Sequence, residues 1–168
     1  MLNEEWFDDY ADAVYSYILL MVEDRHLAED LTQETFLKVF TKASQFKGES
    51  AVKTWIFRIA YTTTIDYFRA NKGHLYYLNL NYLKAARSSE EEMLLHAEQQ
   101  QFYEILKNLK PNYQQVIILR EIKAFSTKET AEVLNWSEGK VKMTLLRALK
   151  QFKKDLMKGG FSNETIIR

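Results

Sequence analysis

Thr127-Lys128-Glu129-Thr130-Ala131-Glu132-Val133-Leu134-Asn135-Trp136-Ser137-Glu138-Gly139-Lys140-Val141 reads as two helices joined by a sharp turn, a helix-turn-helix. Helices that cross steeply approach closest near the middle of the first, so a small side chain is needed there, and Ala131 supplies it. Asn135 falls where the turn demands a left-handed backbone, which asparagine accepts more readily than other non-glycine residues. Ser137 is placed to cap the second helix, and Val141 with Leu145 points back toward the first. The outward side of the second helix, expected over Glu138–Lys154, carries Glu138, Lys140, Lys142, Met143, Thr144 and Arg147, continued by Lys150, Lys153 and Lys154. The N-terminal residues of such a helix reach base edges in a major groove, while lysines and arginines meet phosphates. The alternative is an ordinary helix pair with a solvated basic face.

Upstream of this motif, Pro111 opens a helix expected to run to about Ile122. It is apolar around much of its circumference (Tyr113, Val116, Ile117, Ile118, Leu119, Ile122), which places it at the centre of a small bundle. Another helix is expected over about Glu91–Leu109. Between Asn71 and Glu92 helical order lapses, and Gly73 with Ser88-Ser89-Glu90-Glu91-Glu92 reads as a flexible linker. Its Leu75, Tyr76, Tyr77, Leu78, Leu80, Tyr82 and Leu83 are too many for an inert tether and fit a docking segment. Gly159-Gly160 and the tail to Arg168 are expected to fray.

Three helices are expected before the linker. The first, about Glu4–Val22, carries Phe7, Tyr10, Val14, Tyr17, Ile18 and Met21 at helical spacing. The second, about Arg25–Ala43 with Asp24 as N-cap, should bury Leu27, Leu31, Phe36, Val39, Phe40 and Ala43. The third, about Ala51–Asn71, should be capped by Ser50 and bury a stripe of Ile56, Ile59, Ala60 and Thr63. The fold class is therefore all-α: two small helical domains joined by a flexible linker, the C-terminal one a helix-turn-helix bundle. The expected divisions are 1–71, a linker at 72–92, 93–158 and a short tail at 159–168.

The net charge of zero conceals an asymmetry. Residues 1–70 hold 7 Lys+Arg against 12 Asp+Glu, residues 71–104 hold 3 against 5, and residues 105–168 hold 13 against 6. An acidic front and a basic back imply modules with different partners, the back being the nucleic-acid candidate. On the second helix, Asp30, Gln33, Glu34, Leu37 and Thr41 share the side opposite the apolar stripe. A leucine rimmed by carboxylates is either a protein-docking anchor or a solvated face with one stray leucine. On the third helix, Trp55, Phe57, Tyr61 and Phe68 cannot all join the core stripe. Interleaved with Arg58, Arg69 and Lys72, they either stack single-stranded bases or are mostly core.

Other chemistry finds little support. No cysteine exists for a disulfide, a thiolate metal site or a nucleophile. His26, His74 and His96 fall in separate segments without metal-ligand spacing, and Asp8, Asp9 and Asp12 read as a solvated helix face. There is no glycine-rich phosphate loop or nucleophile elbow. No catalytic residue, metal, cofactor or small-molecule substrate is expected. With no segment near the roughly 18 apolar residues of a membrane span and no signal core, a soluble cytoplasmic protein without membrane insertion is expected.

Three stretches in order resemble the extracytoplasmic-function sigma factors of bacterial RNA polymerase, in the sigma-70 superfamily. They are Ala28-Glu29-Asp30-Leu31-Thr32-Gln33-Glu34-Thr35-Phe36-Leu37-Lys38-Val39-Phe40, then Thr54-Trp55-Ile56-Phe57-Arg58-Ile59-Ala60 with Ile65-Asp66-Tyr67-Phe68-Arg69, then Ser137-Glu138-Gly139-Lys140-Val141-Lys142 with Arg147-Ala148. The resemblance implies that Asp30, Gln33, Glu34 and Leu37 dock on the clamp helices of the core polymerase's largest subunit. Trp55, Arg58, Tyr61, Thr62, Arg69 and Lys72, with the preceding loop, would engage and open the −10 element of promoter DNA. Glu138, Gly139, Lys140, Lys142, Met143, Thr144 and Arg147 would read the −35 element, their domain also touching the polymerase flap. A dedicated anti-sigma factor is the remaining implied partner.

The chain departs from the family pattern at Tyr61 and Thr62, where arginine and asparagine are usual, and at Thr144, commonly basic. These changes bear on promoter preference. A different organisation, a free-standing helix-turn-helix regulator with a sensing or dimerising front module, fits the same helices and predicts tight DNA binding without polymerase.

Overall fold

A computed structural model of the protein describes residues 2–71 and 97–159. All regular elements among them are helical: α1 (Leu2–Val22), α2 (Arg25–Lys42) with a 3-10 turn (Ala43–Gln45), α3 (Val52–Ala70), α4 (Ala97–Asn108), α5 (Pro111–Ile117) running into a π-helical turn (Ile118–Ile122), α6 (Thr127–Leu134) and α7 (Glu138–Lys158). Of the described residues, one compact unit gathers α1, α2, α3 and Lys128–Trp136, and a second gathers the segments on either side of that stretch. The whole of the expected linker at 72–92, with Lys72, His74 and the expected docking segment at 75–83, lies outside the described residues, as do His96 and the tail beyond Gly159.

In the first unit, α1, α2 and α3 pack against one another. Val14, Tyr17 and Ile18 of α1 meet Leu31, Phe36 and Val39 of α2 and Ile56, Phe57, Ile59 and Ala60 of α3 in the buried interior. The Tyr17 and Phe57 rings lie 5.2 Å apart, and burial drives the Tyr17 phenol's pKa well up. Threonines among these apolar groups satisfy themselves locally: Thr32, Thr35 and Thr64 donate to the carbonyls of Ala28, Leu31 and Ala60 one turn back. The α1–α2 joint turns at Glu23, whose φ of 58° is left-handed. Asp24 then caps α2 by accepting the Leu27 N–H at 2.8 Å, as its position predicts.

Several expectations are corrected here. α3 starts at Val52, and its N-cap is Ala51 without any side-chain hydrogen bond, so Ser50 caps nothing. Phe40 is 36% exposed and Phe7 43% exposed, because the α1–α3 interior closes on Phe36 and leaves these two rings at its margin. Phe7 lies edge-on to Phe36 at 4.9 Å. Leu27, Ala43, Tyr10 and Met21 are only half-buried. Phe57, one of the rings weighed for base stacking, is wholly buried.

In the second unit, α4 and α5 pack on α7. Ile105, Leu106, Val116, Ile117, Ile118, Leu119, Val141 and Ala148 are all buried, and Phe102 of α4 faces Phe152 of α7 at 5.0 Å. Pro111 occupies the first turn of α5 as predicted. The helix does not continue regularly to Ile122, however. It widens into a π turn in which the Lys123 N–H reaches the Ile118 carbonyl at 2.8 Å. The chain then reverses at Ala124 (φ 56°), held by Phe125 N–H to the Leu119 carbonyl and by the Arg120 guanidinium to the Phe125 carbonyl.

Candidate nucleic-acid and protein interfaces

On α2, Asp30, Gln33, Glu34 and Leu37 are all exposed, Leu37 at 66%. Their spacing puts them on one side of the helix. Phe40, assigned to the core from sequence, flanks Leu37 and widens the apolar centre of this face. Lys38 stands at its edge. Its ammonium lies 2.7 Å from the Glu34 carboxylate and donates to the Thr63 hydroxyl of α3 at 3.2 Å. Lysine four residues after glutamate is the favoured order for such a pair, and Thr63 anchors it to a buried site.

On α3, Trp55, Arg58, Thr62 and Arg69 share one side, with Tyr61 beside it, by the ~3.6-residue repeat. Arg58, Thr62 and Arg69 are exposed, and Trp55 and Tyr61 are half-buried. Thr62 donates back to the carbonyls of Arg58 and Ile59, each at 3.0 Å. Arg69 lies 3.6 Å from Asp66, a pair exposed on both sides. Burial pushes the Tyr61 phenol's pKa up, and the neighbouring Arg69 opposes this only in part. The phenol therefore stays a neutral donor at neutral pH.

Sequence reasoning missed how Trp55 is held. Its ring packs at 5.1 Å from Phe46 and 6.0 Å from Trp6, and Trp6 and Phe46 meet at 5.9 Å. This aromatic trio joins α1, the loop before α3 and α3 itself. Phe46, Lys47, Trp55 and Arg58 line a recess beside it together with the carboxylates of Glu49 and Glu132, and the buried Thr54 hydroxyl in its wall has no hydrogen-bond partner. The rings suit an unstacked base, while the two carboxylates offset the charge of Lys47 and Arg58.

In the helix-turn-helix, Asn135 adopts φ 55°, and the Ser137 hydroxyl accepts the Lys140 N–H at 3.1 Å to cap α7. The Trp136 N–H returns to the Ala131 carbonyl at 2.9 Å. Ala131 and Val141 are buried. Glu138, Gly139, Lys140, Lys142, Met143 and Arg147 are exposed, whereas Thr144 is half-buried at the edge of that face. α7 extends to Lys158, a full turn beyond the expected end. Leu146, 63% exposed on the same side, was not singled out from sequence.

Asp8, Asp9 and Asp12 are exposed, as is His26, 3.9 Å from Glu29. Among the described residues no three His, Asp or Glu side chains converge as a metal site, and no described helix is long and apolar enough to cross a membrane.

Comparison with known proteins gives the same order of parts. The sigma-70 region 2 family model matches residues 6–74, and the sigma-70 region 4 model matches residues 99–152. The chain is similar to the ECF RNA polymerase sigma factor SigX of Bacillus subtilis (strain 168), 32% identical over 157 residues that cover 89% of this chain and 81% of the relative. It is also similar to the RNA polymerase sigma factor YlaC of the same organism, 31% identical and covering 92% of each. Its fold resembles the sigma factor RpoE solved with the anti-sigma factor NepR from Bartonella quintana. That match has a TM-score of 0.70 at 20% identity, over 92% of this chain and 96% of that one. It likewise resembles CnrH, solved with the cytosolic domain of CnrY, with a TM-score of 0.71 at 19% identity over 95% and 89%.

Proposed function

Because the chain belongs to the extracytoplasmic-function RNA polymerase sigma factors of the sigma-70 family, we propose a division of labour among its surfaces. The protein directs core RNA polymerase to specific promoters and helps open the −10 region. Asp30, Gln33, Glu34 and Leu37 dock on the clamp helices of the largest subunit, with Phe40 enlarging the apolar anchor. Trp55, Arg58, Tyr61, Thr62, Arg69 and Lys72, together with Phe46 and Lys47, capture unstacked −10 bases. Residues 138–147 of α7 read the −35 element, and their domain meets the polymerase flap. The corresponding divisions are region 2 at 1–71, a linker at 72–92, region 4 at 93–158 and a tail at 159–168.

The observation that carries this reading is the two-sidedness of α7. Val141 and Ala148 have no exposure, while Glu138, Gly139, Lys140, Lys142, Met143 and Arg147 face solvent. A helix capped at its N-terminus and held by one edge presents the opposite edge to a groove. Each DNA surface alone is a weak binder. Polymerase holds both over one promoter, so the second contact forms at a raised effective concentration. Opening follows from capturing bases, with no bond chemistry by this chain. A partner of the anti-sigma type, cytoplasmic action beside the polymerase and the absence of catalysis complete the reading, the first drawn from the partner in the RpoE complex.

A gel shift with promoter fragments tests it. The chain with core polymerase should bind a promoter at least ~100-fold more tightly than the chain alone. Equally tight binding without polymerase would overturn the assignment.

A further inference from the structure

α7 exposes more apolar surface than phosphate binding requires. Met143 is 49% exposed and Leu146 is 63% exposed. At ~3.6 residues per turn the two share one side of the helix, turned away from the buried Val141 and Ala148. Lys142, Arg147 and Lys150 surround them, all exposed. The helix as a whole carries seven Lys and Arg against two acidic residues, Glu138 and Asp155. Such a cationic rim complements a polyanion and repels a basic protein surface. Met143 and Leu146 stand about 4.5 Å apart along the axis.

We propose that Met143 and Leu146 read thymine methyl groups in the major groove of the −35 element. The inference rests on the sigma-factor reading of α7 and specifies what two of its side chains recognise. Thymine is the only standard base whose major-groove edge presents a methyl group. Against that edge, Leu146 and Met143 gain an apolar contact. Against guanine or cytosine they leave a donor or acceptor desolvated and unpaired, which penalises the wrong base. The unbranched thioether of Met143 adapts to small shifts in register, while the stiffer Leu146 fixes one position. The cations beside them hold the backbone and carry no base information themselves.

The test uses holoenzyme assembled from core polymerase and the full chain. Promoters are first selected by transcription from a random library. Each thymine of the −35 duplex is then replaced singly by deoxyuridine, which removes the methyl and nothing else. At least one replacement should weaken holoenzyme binding about three- to fivefold, the worth of one buried methyl. That penalty should disappear in Leu146→Ala or Met143→Ala holoenzyme. A selected −35 element without thymine, no deoxyuridine penalty at any position, or a penalty unchanged in both variants would overturn the proposal. So would weaker binding of Leu146→Ala to core polymerase in the absence of DNA, which would make the pair a protein-docking surface. Holoenzyme that binds no promoter would instead sink the sigma-factor reading itself.

Discussion

The surface of α2 and α3 and the surface of α7 are both charged and partly apolar, but they are built in opposite ways. In the front unit some cations are tied to neighbours, Lys38 to Glu34 and Thr63 and Arg69 to Asp66, whereas Arg58 enters no ion pair within the described residues. Its exposed apolar groups, Leu37 and Phe40, belong to a helix whose other side is core. The recess beside Trp55 is lined by the loop before α3, by α3 itself and by Glu132, and Trp6 of α1 packs on its Trp55 and Phe46 rings. On α7, Lys142, Arg147, Lys150, Lys153 and Lys154 enter no ion pair within the described residues, and every proposed contact comes from one helix. In the proposed division of labour the Lys38–Glu34 pair borders the polymerase-docking face of α2, while the unpaired cations of α7, like Arg58 of α3, are available for phosphates. Salt should accordingly weaken the DNA contacts far more than the docking of α2 on polymerase.

The sharpest way to break this comparison is Leu37→Glu. It should abolish association with core polymerase, a loss of at least ~30-fold as for a central interface anchor, with helical circular dichroism unchanged. Charge reversal at Asp30 and Glu34 should do the same, and unaltered co-purification with core would end the assignment. On the other side, Arg147→Ala or Lys140→Ala should weaken holoenzyme on promoters by about tenfold. Each should also flatten the log–log salt dependence by about one unit. An unchanged slope would mean that the residue meets no phosphate.

Two smaller changes separate stability from function. A Cβ at Gly139 would meet only the Ser137 hydroxyl, at 4.0 Å, so nothing within the protein demands glycine in this first turn. Gly139→Ala should gain up to about 1 kcal/mol of helix stability, raising Tm by a few degrees, yet weaken promoter binding, since the proposed −35 contact brings DNA backbone to this residue. Binding that improves along with Tm would remove Gly139 from the interface. Ala124, with φ 56°, lies outside both proposed surfaces. Ala124→Gly should relieve left-handed strain at a modest entropic cost, adding about 0.5–1 kcal/mol by thermal unfolding with promoter binding intact.

The helix-turn-helix was the most legible part of the chain. Its determinants lie within a few residues of one another: the left-handed Asn135, the Ser137 cap, and the buried Val141 and Ala148 on one edge of α7. The Asp24 cap and Pro111 at the start of α5 were legible for the same reason. Errors fell where burial depends on distant partners. Phe36 and Phe40 look equivalent along α2, yet α1 and α3 close over the first and leave the second at the rim. Phe57 looked like a candidate for stacking and is wholly core. The packing of Trp6 on Phe46 and Trp55 had no linear signal, since Trp6 lies 40 residues before Phe46 in the chain. The π turn at Ile118–Ile122 was invisible to a rule that counts every helix at 3.6 residues per turn.

Local order, all-helical class, the division of charge and the helix-turn-helix motif were set by residues acting on near neighbours, because caps, turns and periodicity work over one or two helical turns. Which aromatic rings are interior, which cations are tied down and how the Trp55 ring is held were decided only when α1, α2 and α3 packed. Burial is a property of what lands on top of a side chain, and the elements that bring Trp6, Phe46 and Trp55 together meet only in the folded unit.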